Sequence, residues 1–152
     1  MRLTKRSNLA VRLLMFCGTN PDRLVTKHEA ALACNSSVNH MAQVINRLGQ
    51  LGYLTTVRGR RGGVRLALDM SDIRVGQIFR ALEGEVADED CFADNDNTCP
   101  LTNLCILRGA LRKAVESFYS QLDEVTLDTL VCGNTALFEL FNPAALQGCQ
   151  HS

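Results

Sequence analysis

Apolar residues first recur at helical spacing at Leu9, Leu13, Phe16 and Cys17, behind Thr4 as a cap, and Gly18 with Pro21 ends that predicted helix. Thr26-Lys27-His28-Glu29 has the form of a capping box and predicts a short helix through Ala33. Cys34-Asn35-Ser36 then reads as a tight turn. Ser37 opens another helix whose apolar stripe is Val38, Met41, Ile45 and Leu48, with Asn39, His40, Gln43, Asn46 and Arg47 towards other faces and Gly52 closing it. Val64, Leu66 and Leu68 alternate with Arg65 and Ala67 as in a strand buried on one side, and Leu54 to Val57 is its expected antiparallel partner. Asp72 is the expected cap of a helix carrying Val75, Ile78, Phe79 and Leu82, with Gly84 after it.

A short helix, a tight turn and a polar-faced helix outline a helix-turn-helix, and the run Arg58-Gly59-Arg60-Arg61-Gly62-Gly63 between the two strands outlines a basic wing. Together they predict a mainly α fold with a small β-hairpin, a winged helix-turn-helix that binds DNA. The expected contacts are Ser37, Asn39, His40 and Gln43 at the start of the recognition helix, and Arg58, Arg60 and Arg61 in the wing, at phosphates or in the minor groove.

Further on, Leu107, Leu111, Ala114, Phe118, Leu122 and Val125 step by fours and threes, which predicts a long helix with a narrow seam. In so small a chain that seam is expected to meet a second copy, giving a homodimer. Pro100 suits the first turn of whatever helix follows it, Thr126 caps a last helical turn with Leu127, Leu130 and Val131, and beyond Phe141 periodicity fades into a loose tail. The expected organisation is a DNA-binding domain over 1–82, a cysteine loop over 83–106, the dimerisation helix and final turn over 107–132, and a tail over 133–152.

Charge sharpens this picture. The net charge of the 152 residues is zero, yet residues 1–80 carry 13 Lys or Arg against 4 Asp or Glu, while residues 81–152 carry 3 against 12. The basic half suits a polyanion, and eleven of its thirteen cations are arginine, the side chain suited to forked phosphate and guanine contacts. No apolar run reaches the roughly 18 residues of a membrane span, and Met1-Arg2-Leu3-Thr4-Lys5-Arg6 leads into no signal-like run, so a cytoplasmic protein is expected. With His28, His40 and His151 as its histidines, no glycine-rich phosphate loop and no triad pattern, an enzyme is not expected.

The candidate chemistry lies between Cys91 and Cys105, where Cys91, Cys99 and Cys105 sit among small, acidic and amide residues. Disulfides fit poorly with seven cysteines and a cytoplasmic chain. Zinc fits poorly too, because seven residues separate Cys91 from Cys99 and five separate Cys99 from Cys105. An iron-sulfur cluster accepts loop thiolates and a fourth ligand from elsewhere, but spacing alone leaves the choice open. Cys17 and Cys34 read as small buried residues.

In its Met1-Arg2-Leu3-Thr4 start, its Val57 to Leu66 wing and its three cysteines, the chain resembles the iron-sulfur-dependent winged-helix repressors that include IscR, NsrR and RirA. The resemblance runs from Met1 to about Phe141 and implies a cluster held by Cys91, Cys99 and Cys105. The IscR pattern has a histidine where this chain has Arg108, which disfavours a [2Fe-2S] site. The chain looks most like NsrR through Asn39 to Leu48 and Leu122 to Leu127, implying a [4Fe-4S] cluster, an aspartate as fourth ligand and nitric oxide as effector. Asn8 stands at the aspartate position, a poorer ligand, and together with the Cys91-Phe92 and Cys99-Pro100-Leu101 pieces it also looks like RirA. The expectation is a homodimeric repressor that releases its double-stranded operator on nitric oxide, with an iron-responsive repressor as the alternative and an electron carrier as a weaker one.

Overall fold

The Thr4 hydroxyl accepts from the backbone N–H of Ser7 at 3.4 Å and starts α1 (Lys5–Gly18), whose Leu9, Ala10, Leu13, Leu14, Phe16 and Cys17 are buried. The structure is a computed structural model that describes residues 4–84, 100 and 105–141. The Thr26 capping box forms as expected: Glu29 accepts from the Thr26 backbone N–H at 2.8 Å, while the Thr26 hydroxyl accepts from the Glu29 N–H at 3.2 Å. The Thr26 hydroxyl, donating to Glu29 Oε2 at 2.7 Å, and the Thr26 N–H, reinforced by Arg23 at 2.9 Å, outweigh slight burial and hold the Glu29 carboxyl below its ordinary range. Helix α2 (Lys27–Ala33) ends in the expected turn, where Asn35 takes φ +50°, a conformation asparagine tolerates better than most residues. Ser37 caps α3 (Val38–Gln50) by accepting from the His40 N–H at 3.2 Å. Its buried stripe is Met41, Val44, Ile45 and Leu48. Val38, expected in that stripe, is half-buried, and Val44 joins it instead.

Strands β1 (Leu54–Val57) and β2 (Gly63–Leu66) pair antiparallel with Leu54 opposite Leu66 and Val57 opposite Gly63. Val64 also exchanges two 2.8 Å backbone bonds with Val25, tying the hairpin to the segment before α2. A Cβ on Gly62 would stand 2.2 Å from the Val57 carbonyl, so the hairpin closes over this position only with glycine. Leu68 departs from expectation: it lies beyond β2 and is exposed, because the strand ends at Leu66.

Asp72 does not cap the next helix. It belongs to a short 3-10 turn, Met70–Asp72, and α4 (Val75–Glu83) begins after Arg74 with no side-chain cap. One N–H of its first turn is satisfied across the fold instead: the Val75 N–H donates to the Val125 carbonyl, and just before α4 the Ile73 carbonyl accepts from the Leu127 N–H, each at 2.9 Å. Pro100 lies in a turn, and the long helix α5 runs over Ile106–Asp123. Val125, assigned to the seam of that helix, falls beyond its end.

The seam itself divides. Phe118 and Leu122 are half-buried against the Val75, Phe79 and Tyr119 cluster that joins α4 to α5. Leu107, Leu111 and Ala114 are exposed. Arg80 fastens the packed half, pairing with Asp123, meeting Glu116 at 3.0 Å and lying 4.8 Å over the Tyr119 ring. Helix α6 (Leu127–Cys132) sends Leu127 and Val131 into the core built by α1 and α3. A further helix, α7 (Thr135–Phe141), occupies the front of the segment expected as tail, with Phe141 edge-on to Phe16 at 5.3 Å between centroids. The expected loose stretch after Phe141 lies outside the described residues, as do Cys91 and Cys99.

Candidate nucleic-acid interface and cysteine site

The polar face of α3, the N-terminal end of α2 and the hairpin enclose one groove. Thr26, Lys27, His28, Ala42, Ile45, Asn46, Thr56, Val57, Gly59 and Gly62 are among the residues lining its cavity of about 410 Å³. Asn39 and Gln43 are exposed on the same helix, His40 is half-buried, and Ser37 is exposed with its hydroxyl engaged as the helix cap. Arg58, Arg60 and Arg61 are exposed at the hairpin tip. Ile45 of the helix and Val64 of the hairpin both line the groove, and Lys27 brings a cation to it.

Asn46, Lys27, His28 and Thr56 were not among the expected contacts. Asn39, Gln43 and Asn46 follow the i, i+4, i+7 spacing of one helical face, a signal available in the sequence. Lys27, His28 and Thr56 come from elements that only folding brings to the groove. Replacing Arg60 and Arg61 together by alanine is expected to weaken binding across all DNA sequences. It should lower the slope of log affinity against log salt by about one unit for each phosphate no longer neutralised, measured by fluorescence anisotropy. An unchanged slope would assign both arginines to ordinary surface.

Of the three expected ligand thiols, Cys105 lies among the described residues. It is half-buried at the N-cap of α5, and its Sγ accepts from the Arg108 backbone N–H at 3.4 Å. The start of an 18-residue helix favours negative charge, such as a metal-bound sulfur carries. Cys17 and Cys34 do not suit it: burial, with the neighbouring Cys34, pushes the Cys17 thiol up to about 12, and burial pushes Cys34 up to about 11 against the charge of Arg12. Asn8 is exposed on α1, and its Oδ1 accepts from Arg12 Nε at 2.9 Å. Arg12 also donates to the Cys34 carbonyl at 3.0 Å, so Asn8 is tethered to the helix-turn-helix. No group of three His, Cys, Asp or Glu residues converges among the described residues.

The profile of the Rrf2 family, described as an iron-dependent transcriptional regulator, matches residues 3–133. The HTH-type transcriptional regulator NsrR of Bacillus subtilis strain 168 is 36% identical over 141 residues, spanning 92% of this chain and 97% of that protein. Protein aau3 of Rhizobium meliloti is 40% identical over 131 residues, spanning 86% and 85%. Among solved structures, IscR of T. potens superposes with a TM-score of 0.69 at 24% identity over 90% of each chain, a likeness that carries the fold alone.

Proposed function

The chain belongs to the Rrf2 family of transcriptional regulators, and from that membership we propose that it is a homodimeric repressor that holds a [4Fe-4S] cluster and leaves its operator on exposure to nitric oxide. The observation that carries the DNA part is the groove between α3, the start of α2 and the hairpin, whose tip exposes Arg58, Arg60 and Arg61. Two such units would place their recognition helices about one DNA turn, roughly 34–36 Å, apart. The exposed start of α5, where Ile106 is 89%, Leu107 65% and Leu111 40% accessible, supports a second copy as its cover. A regulator of this kind works where the DNA is, in the cytoplasm; no described helix is long and apolar enough to cross a membrane.

Cys91, Cys99 and Cys105 would hold the cluster, with the fourth position near Asn8 left to water or a small thiol because a neutral amide is a weak iron ligand. When bound, the cluster supplies iron as the target of nitric oxide. The chain supplies the linkage: Cys105 begins α5, and the far end of α5 is pinned to α4 through Arg80.

The test is anaerobic. Cluster-loaded protein is characterised by absorbance and native mass, then titrated with nitric oxide while it binds a duplex selected from random DNA. A four-iron mass and loss of affinity at a few nitric oxides per cluster are expected. Binding that survives nitric oxide but is lost on iron chelation would make the protein an iron-responsive repressor, the reading Asn8 favours.

A further inference from the structure

The end of α4 touches both α1 and the recognition helix α3. Oε1 of Glu83, the last residue of α4, accepts from the Thr4 backbone N–H at 2.8 Å, from the Thr4 hydroxyl at 2.9 Å and from the Ser7 hydroxyl. Ser7 is fully buried. Two residues earlier, the Ala81 carbonyl accepts from Arg47 of the recognition helix at 3.4 Å. Immediately after this junction comes Gly84, and Cys91 follows seven positions later in the sequence.

A carboxylate at the C-terminal end of a helix opposes that helix's own dipole, whereas at the N-terminal end of another it is favoured. Glu83 therefore weakens α4 locally while serving α1, which marks its task as joining the two helices. Burial pushes its carboxyl up, but the bonds from Ser7 and Thr4 and the charge of Arg6 prevail and hold it below the usual range. A carboxyl with a depressed folded value contributes stability above its ordinary value of 4.5, lost as pH falls through the folded value. At neutral pH the clamp is therefore charged and closed.

We propose that Glu83 is a positioning residue for operator binding: clamped to Thr4 and Ser7, it couples the cysteine segment that follows α4 to the orientation of the recognition helix. The coupling rests on the cluster-dependent reading above. Because α1 packs against α3 in the common core, a shift at the end of α4 reaches the recognition helix through both Ser7 and Arg47. A clamp that served stability alone would not distinguish the two cluster states.

The experiment measures affinity for the selected duplex with cluster-loaded and chelator-stripped full-length protein, in the wild type, Glu83→Ala and Glu83→Gln. The wild-type ratio of the two affinities is expected to be about tenfold or more, within the 5–150-fold range of such couplings. Glu83→Ala should keep the cluster absorbance but bring the ratio to about threefold or less, while Glu83→Gln, whose amide oxygen still accepts from Thr4 and Ser7, should retain most of it. Equal losses in both forms, or no change at all, would overturn the coupling and leave the cluster reading standing. A wild-type ratio of one would overturn the cluster reading and the coupling with it. Should Glu83→Ala not fold, Ser7→Ala removes the buried donor from the other side, and an unchanged ratio there rejects the proposal equally.

Discussion

Cys105→Ser is expected to yield a folded protein that has lost its cluster. Serine is a strong N-cap, so its hydroxyl can replace the sulfur that accepts from the Arg108 N–H, and α5 should start where it does now. What serine cannot supply is a soft thiolate, because its hydroxyl stays protonated at neutral pH. Visible absorbance and bound iron should fall to background with far-ultraviolet circular dichroism unchanged. Affinity for the selected duplex should drop on the order of 5–150-fold, the usual size of coupling between two sites. A variant with four irons and undiminished sensitivity to nitric oxide would remove Cys105 from the ligand set. The substitution separates two roles that alanine would confound, since alanine would also delete the helix cap.

Gly76→Val should destabilise the protein at the junction of α4 and α5. A Cβ at Gly76 would lie 2.2 Å from Asp123 Oδ1 and 2.6 Å from the Tyr119 carbonyl oxygen. The first obstacle is a side chain that can swing away, but the second is helix backbone, so the helices must separate. Asp123 has little room to move without losing Arg80, and its buried Oδ1 already lacks a hydrogen-bond partner. Overpacking of this kind costs about 1–3 kcal/mol, and in a chain of this size each kcal/mol lowers Tm by about 2–4 °C. The comparison needs equal protein concentration and equal cluster content, because dimerisation and iron binding both move Tm by mass action. A variant melting with the wild type would show that the helices are less tightly apposed than these distances require.

Junctions of this kind are where sequence patterns and folded structure part company. Thr4, Thr26 with Glu29, and Ser37 are local signals, each satisfied within three or four residues, and each starts a helix where expected. Asp72 carries the same chemistry yet starts none, because α4 and the residues just before it are held by the bonds from Val75 to Val125 and from Leu127 to Ile73, some 50 residues apart in the chain. The α7 segment has a local cap of its own, Asn134, whose Oδ1 accepts from the Leu137 N–H at 3.1 Å, and Phe141 on Phe16 gives the helix a place to pack. Leu107 and Phe118 read alike along the seam of α5, but one is exposed and the other rests on α4.

The DNA-binding face divides along the same line. Its helix, turn and basic hairpin are legible because capping, glycine closure and arginine clustering are properties of short segments, fixed by bonds between near neighbours. The cavity that adds Lys27, His28 and Thr56 arises from the Val25–Val64 bridge, which brings α2 beside the hairpin. Residues distant in the chain declare nothing of their proximity until a shared core has buried Val25 and Val64 together. The clamp on Glu83 has the same origin: its chemistry is written at one position, and its partners stand 76 and 79 residues earlier.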